Sequence, residues 1–148
     1  MKSLLAIDPG ANGGIAWINS DGIVCAAPMP DGMTSQADFI RRIRTELPQI
    51  SCLMEKTGTY MPGNSGPAAA TFARHVGHLE ALLYCFGIPV VQVSPQKWMA
   101  SFGKVPKDKK ERKQWLKEGA ARRCPHLTVT LKTSDALMLL AYGLKNLP

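Results

Sequence analysis

Two features that define other protein classes are missing from this chain of 148 residues. No apolar run approaches the roughly 20 residues that a membrane-spanning helix needs, and no basic-then-apolar signal pattern opens the chain. The four cysteines are scattered without a Cys-x-x-Cys pair, so neither a zinc site nor a disulfide framework is indicated. His75 and His78 could share a helix face, but two histidines without a third ligand are usually ordinary helix residues. We therefore expect a cytoplasmic protein with reduced thiols and no membrane partner.

The length and the apolar content limit the number of domains. Hydrophobic residues make up 45% of the chain, which is enough for a core. A chain of this length suits one domain and is too short for two comfortable ones. We expect residues 1–148 to form a single domain.

Acidic residues are scarce beside basic ones, and the basic excess is local. The formal net charge is +7, from 18 Lys and Arg against 11 Asp and Glu. Residues 97–123 hold three acidic residues and ten basic ones, which are Lys97, Lys104, Lys107, Lys109, Lys110, Arg112, Lys113, Lys117, Arg122 and Arg123. A concentrated positive surface attracts nucleic acid, because neutralising phosphates releases counterions. A solvated basic helix that only aids solubility explains the charge equally well.

Short apolar runs between turn residues predict five strands. They cover residues 3–7, 14–18, 23–27, 50–54 and 89–93. Asp21-Gly22 is a hairpin signal, and the short connections between the first three strands indicate an antiparallel meander.

Helical spacing of apolar residues predicts helices between and after the later strands. The first has its cap at Thr34 or Ser35, and a longer one covers about residues 68–86. Ser94-Pro95 favours another helix start, the basic segment 106–123 is predicted to be helical, and Thr133-Ser134-Asp135 caps a last helix that ends at Leu144. This order predicts an α/β fold with a mixed five-stranded sheet, three antiparallel strands first, and helices on both faces.

Three acidic residues lie where predicted elements begin or end. Asp8 follows the first strand, Glu55 follows the fourth, and Asp135 lies in the first turn of the last helix. Turn chemistry, an ordinary strand-end charge and the helix dipole explain them one by one. If the strands are neighbours, however, three carboxylates converge and repel unless cations neutralise them. Mg²⁺ or Mn²⁺ fits such a site, since these hard ions prefer oxygen ligands.

The segments around these acids resemble the RuvC-type Holliday-junction resolvases of the RNase H superfamily. The similar segments are Leu5-Ala6-Ile7-Asp8-Pro9-Gly10 with Gly13-Gly14-Ile15-Ala16, Met54-Glu55, Val93-Ser94-Pro95-Gln96-Lys97-Trp98 and Ser134-Asp135-Ala136-Leu137. They follow the family's order over nearly the whole chain.

The resemblance implies an RNase H-like fold and an endonuclease that nicks four-way DNA junctions symmetrically. Two Mg²⁺ or Mn²⁺ ions held by Asp8, Glu55 and Asp135 would activate a water and stabilise the leaving oxygen. A junction needs two symmetric cuts, so the resemblance also implies a homodimer, with the helix over residues 68–86 as the dimer element. A compact enzyme of this kind fits a phage or prophage origin.

Other site residues come from the basic segment and from departures from the family pattern. The likeliest contacts to the DNA backbone are Lys97, Lys104, Lys107, Lys109 and Lys110. Tyr60 is the nearest candidate for the aromatic wedge that the family has after its second acid. Lys132 stands where the family commonly has a fourth metal-site residue, so it is either a catalytic lysine or a lost ligand.

Three alternatives remain at this point. Another RNase H-like nuclease, acting on flaps, other branched DNA or RNA, would use the same carboxylates. A non-catalytic module that binds branched nucleic acid is favoured if Lys132 has disabled the metal site. A sugar-kinase-like phosphate turn at Asp8-Pro9-Gly10 is weak, because such kinases need two domains.

Overall fold

The structure is a computed structural model that describes residues 3–58, 63 and 65–148. In that part of the chain five strands form one sheet in the order β3-β2-β1-β4-β5. Their bounds are β1 (Leu4–Asp8), β2 (Gly14–Ile18), β3 (Val24–Pro28), β4 (Ser51–Glu55) and β5 (Val90–Val93). β1, β2 and β3 pair antiparallel, whereas β4 pairs parallel to both β1 and β5. The predicted mixed sheet with an antiparallel meander is confirmed.

The helices lie between and after the later strands. Their bounds are α1 (Gly32–Glu46), α2 (Gly66–Cys85), α3 (Pro95–Ala100), α4 (Lys109–Arg123) and α5 (Ser134–Asn146). The predicted cap of the first helix at Thr34 or Ser35 is wrong, because α1 begins earlier, after Asp31. Gly32 has a φ of +79°, and this glycine conformation turns the chain into the helix before Thr34 is reached.

Two other helix starts also differ from the prediction. The side chain of Ser65 accepts a hydrogen bond from the Ala68 backbone N–H, so α2 begins two residues earlier than predicted. The Asp108 side chain accepts one from the Glu111 N–H at 3.0 Å, so α4 begins at Lys109 rather than at Pro106. In both cases a side-chain oxygen satisfies a free N–H of the first turn and fixes the boundary.

The core divides into two halves, one on each face of the sheet. Alternate strand residues point to opposite faces. Leu4 and Ala6 pack with α3, α4 and α5, whereas Leu5 and Ile7 pack with α1 and α2. All four are fully buried. The helices therefore cover both faces of the sheet, as predicted.

α5 lies so close to the sheet that its glycine admits no side chain. A Cβ placed on Gly143 would be 2.6 Å from Cδ2 of Leu4 and 2.9 Å from Cδ2 of Leu53. The turn after β1 is equally tight, since a Cβ on Gly13 would lie 2.0 Å from the carbonyl oxygen of Asp8. The segment just before α5 is also close to the sheet, since a Cβ on Gly14 would lie 2.3 Å from the carbonyl oxygen of Lys132.

No helix of the described residues is long and apolar enough to cross a membrane. The four cysteines, Cys25, Cys52, Cys85 and Cys124, are free thiols.

Candidate active site

The three acidic residues lie at one edge of the sheet. β1 and β4 are adjacent parallel strands with Ile7 opposite Met54, so the next residues, Asp8 and Glu55, end their strands side by side. α5 packs on β1, β2 and β4 and carries Asp135 in its first turn. Asp8, Glu55 and Asp135 line a single cavity of about 500 Å³. The structure thus brings together the three carboxylates singled out in the sequence.

Burial makes these carboxylates hard to ionise. Burial, with the charges of Asp135 and Glu55 adding to its effect, raises the pKa of Asp8 to about 8. Burial also raises the pKa of Glu55 to about 7, with Asp135 adding to the effect while a hydrogen bond from Trp98 opposes it. The pKa of Asp135 is raised by burial and lowered by nearby cations, Lys113 first. Neighbouring acids with raised pKa values are a frequent mark of a functional site.

Two hydrogen bonds hold the acidic side chains. The indole N–H of Trp98 donates to Oε2 of Glu55 at 2.8 Å, and the Ser134 hydroxyl donates to Oδ1 of Asp135 at 3.3 Å. Trp98 is fully buried in α3. The sequence analysis used Trp98 only as part of a motif and missed this contact, since only the pairing of β4 with β5 brings α3 beside Glu55.

The donor chemistry of the cavity fits a hard divalent cation. Its acidic ligands offer only oxygen atoms, and bringing like charges together needs a counter-charge. Among the described residues, however, no three His, Cys, Asp or Glu side chains stand close enough to hold an ion as they are. Mg²⁺ usually keeps several waters and takes only one or two carboxylates, so a partial protein shell suits it. A larger protein shell would require the side chains to move closer together.

Basic residues of α4 border the same cavity. Lys109, Arg112 and Lys113 line it together with the carboxylates. The charge of Lys113 lowers the pKa of Asp8, Glu55 and Asp135, although none of these acids forms an ion pair within the described residues. The sequence analysis named Lys109 but did not single out Arg112 or Lys113. Their spacing of three and four residues from Lys109, which puts them on one helix face, is the signal that could have found them.

The other predicted lysines lie away from the carboxylates. Lys97, Lys104, Lys107 and Lys110 are exposed and do not line the carboxylate cavity. Lys110 instead borders a groove along α4. Tyr60 lies outside the described residues.

Lys132 belongs to a second cavity next to the first. This cavity, of about 970 Å³, is also lined by His75 and His78 of α2. It shares residues 10–12 and Phe72 with the carboxylate cavity. Lys132 precedes α5 and is exposed, and it lines this second cavity but not the one lined by Asp135.

The strand order, the antiparallel meander and the flanking helices define an RNase H-like fold. Two solved structures of RuvC from Thermus thermophilus share it. RuvC in complex with a Holliday junction substrate has a TM-score of 0.59 at 14% identity, covering 98% of this chain and 96% of that chain. A second RuvC structure has a TM-score of 0.55 at 13% identity, covering 97% of this chain and 95% of that one. No protein-family model and no curated protein sequence matches the chain. The likeness shows the fold that the sequence resemblance implied.

Proposed function

We propose that this protein is a divalent-cation-dependent endonuclease that cleaves phosphodiester bonds in branched DNA, with symmetric nicking of four-way junctions as its main reaction. The observation that carries the proposal is the cavity that Asp8, Glu55 and Asp135 share, bordered by the basic face of α4. The fold supports it further, since one RuvC structure of the same fold was solved with a Holliday junction substrate.

The carboxylates are proposed to hold Mg²⁺ or Mn²⁺, two ions in the form that the family resemblance implies. Bound ions of this kind supply Lewis acidity and a water with a lowered pKa. The nucleophile is then a water, which agrees with the composition of the cavity. No serine, threonine, cysteine or histidine is found among the described residues that line it. The role of Asp8, Glu55 and Asp135 is therefore to bind cations rather than to attack the phosphate.

The basic residues are proposed to hold the DNA backbone next to the carboxylates. Lys113 is exposed beside the three acids and is the best candidate to contact the scissile phosphate. Arg112 donates to the carbonyl oxygen of Lys107 at 3.1 Å, so it also anchors the segment that leads into α4. The exposed residues Lys97, Lys104, Lys107 and Lys110 would extend the contact to phosphates further along the DNA. Such contacts position the substrate without reading its sequence.

Lys132 is proposed to contact DNA from the neighbouring cavity. Lys132 is exposed and does not line the carboxylate cavity, which suits a contact to the DNA backbone better than a share in the cation site. Tyr60 stays a prediction as the aromatic residue that enters the branch point.

A homodimer is proposed because a four-way junction requires two symmetric cuts. α2 is 20 residues long, and its buried residues are Val76, Leu79 and Leu83. Tyr84, near its end, is 86% exposed, and Val91 of the edge strand β5 is 49% exposed. Exposed apolar side chains of this kind support pairing with a second copy.

The test is a cleavage assay on labelled four-way junction, flap, duplex and RNA–DNA hybrid, each with Mg²⁺, Mn²⁺ or EDTA. Paired nicks at symmetric positions, confined to the junction and lost in EDTA, are the expected result. Asp21→Asn, in the exposed β2–β3 hairpin, is the matched control for an Asp8→Asn variant. Cleavage of flaps or hybrids in preference to junctions would instead identify another RNase H-like nuclease.

A second candidate function is binding of branched DNA without cleavage. The observation that favours it is the spacing of the acids, since no three ligands among the described residues are close enough to hold an ion as they stand. Tight junction binding by the wild type, with no cut in either Mg²⁺ or Mn²⁺, would support this function and refute the nuclease.

A further inference from the structure

We infer that Trp98 is a positioning residue for the cation site, because its indole N–H holds one carboxylate oxygen of Glu55 and leaves the other oxygen free to bind a cation. The inference rests on the proposed function, since it assumes that Glu55 is a cation ligand. It adds a residue that neither the fold nor the three carboxylates would identify.

The backbone that leads to Trp98 is fixed on both sides. Val93 pairs with Glu55 across β4 and β5, so the chain leaves β5 directly beside Glu55. The Ser94 side chain then accepts a hydrogen bond from the backbone N–H of Lys97 at 3.3 Å and begins α3. At the other end of the helix, the Ser101 hydroxyl donates to the carbonyl oxygen of Trp98 at 2.7 Å.

The indole ring itself is locked in the core. It is fully buried and makes an edge-to-face contact with Phe102, with 6.5 Å between ring centroids. The ring N–H can only donate, and its acceptor is Oε2 of Glu55 at 2.8 Å. A buried donor that loses its acceptor is costly, so this hydrogen bond persists and fixes the Glu55 carboxylate.

A fixed carboxylate has a direct consequence for cation binding. One oxygen is committed to the indole, which disfavours bidentate binding by Glu55. Groups that orient a metal ligand in this way typically change metal affinity by about 10- to 100-fold when they are removed. The competing explanation is that Trp98 only fills the core. A phenylalanine also packs in an apolar core but has no N–H, so it separates the two roles.

The experiment is a Mn²⁺ titration without DNA, in which electron paramagnetic resonance counts the free ion. For Trp98→Phe we expect affinity about 10- to 100-fold weaker than for the wild type. Trp17→Phe is the matched control, because Trp17 packs against Phe39 on the opposite face of the sheet, and its affinity should equal that of the wild type. Unchanged affinity in a folded Trp98→Phe protein, or no Mn²⁺ binding by the wild type, overturns the inference.

A double-mutant cycle distinguishes positioning from a general structural effect. If Trp98 acts through Glu55, Trp98→Phe should change Mn²⁺ affinity less than about twofold when Glu55→Gln is already present. An equal loss in both backgrounds overturns the inference. Because no DNA is used, Trp98-dependent Mn²⁺ binding by a protein that does not cut DNA would refute the nuclease and leave this inference standing.

A second measurement covers the case in which Trp98→Phe does not fold. In a Trp17→Phe, Trp115→Phe protein, Trp98 is the only tryptophan left. Tb³⁺ bound at the carboxylates should then emit when tryptophan is excited. Mn²⁺ should abolish that emission by displacing the bound Tb³⁺. Bound Tb³⁺ without tryptophan-excited emission overturns the inference.

Discussion

One cavity brings together two groups of charged residues. The acids lie at the ends of β1 and β4 and at the start of α5, the bases lie on α4, and the two groups differ in their surroundings. Asp8, Glu55 and Asp135 are largely buried and have raised pKa values, whereas Lys109 and Lys113 are exposed to solvent. Solvent screens an exposed charge, while burial makes a charge costly unless a partner neutralises it. The difference supports the proposal that the acids bind a cation and that the bases attract phosphate.

Replacing an acid and replacing a base should therefore impair different steps. Removing an acid should stop the reaction and leave DNA binding intact, because the acids contact the cation. Removing a base should weaken DNA binding and its response to salt, because the bases contact phosphate.

The largest expected effect is the loss of cleavage in Asp8→Asn. The change replaces a cation-binding carboxylate with a neutral amide, so the cleavage rate should fall at least about 100-fold. This fall corresponds to a reaction barrier that is higher by about 2.7 kcal/mol. Junction affinity in EDTA should stay within about twofold of the wild type. Single-turnover cleavage and a gel-shift titration measure the two quantities. Cleavage at the wild-type rate would remove Asp8 from the site.

The second effect is a rise of Mn²⁺ affinity with pH. A cation binds the ionised acids, and burial holds the pKa of Asp8 at about 8 and that of Glu55 at about 7. Below pH 7 both groups must release protons on binding, so affinity should rise steeply from about pH 6 and level off above about pH 9. Calorimetric titrations at several pH values measure this. A flat profile would mean that neither acid binds the ion.

A smaller effect is expected when the basic face is altered. Replacing Lys109 and Lys113 with alanine removes two phosphate contacts, so the slope of log affinity against log salt should fall by about 2. Lys145→Ala is the matched control, because Lys145 lies in the last turn of α5, the opposite end of the helix from Asp135. An unchanged slope in the double variant would mean that DNA does not pass over α4.

The three carboxylates of the site could be predicted because each is marked by the residues next to it in the sequence. Asp8 and Glu55 each end an apolar run, Asp135 begins one, and the segments around all three resemble the resolvase family. Trp98 could not be found in this way. Its role depends on how α3 packs against the strand ends, and that packing has no signature in the segment.

The errors at helix starts have a related cause. Thr34 and Ser35 are good capping residues, yet the backbone at Gly32 had already begun α1. The family resemblance placed Lys132 at the fourth metal-site position, and in the structure this lysine lines the second cavity rather than the cavity of the three carboxylates. Its role stays a prediction.

The smallest expected effect concerns the stability of the cation-free protein. The folded-state pKa of Asp8 lies above its ordinary value of 3.8, so the folded protein binds the proton more tightly than the unfolded chain does. The stability that this proton provides is complete below about pH 4 and is lost as the pH rises through about 8. Asp8→Asn removes the buried charge, so at pH 9 in EDTA its melting temperature should exceed that of the wild type by at least about 3 °C, roughly 1 kcal/mol for a domain of this size. At pH 3 the two proteins should melt within about 1 °C of each other, because Asp8 is then protonated in both the folded protein and the unfolded chain. A lower melting temperature for Asp8→Asn at pH 9 would mean that the carboxylate is stabilised without a cation, and the contrast between buried acids and exposed bases would no longer hold.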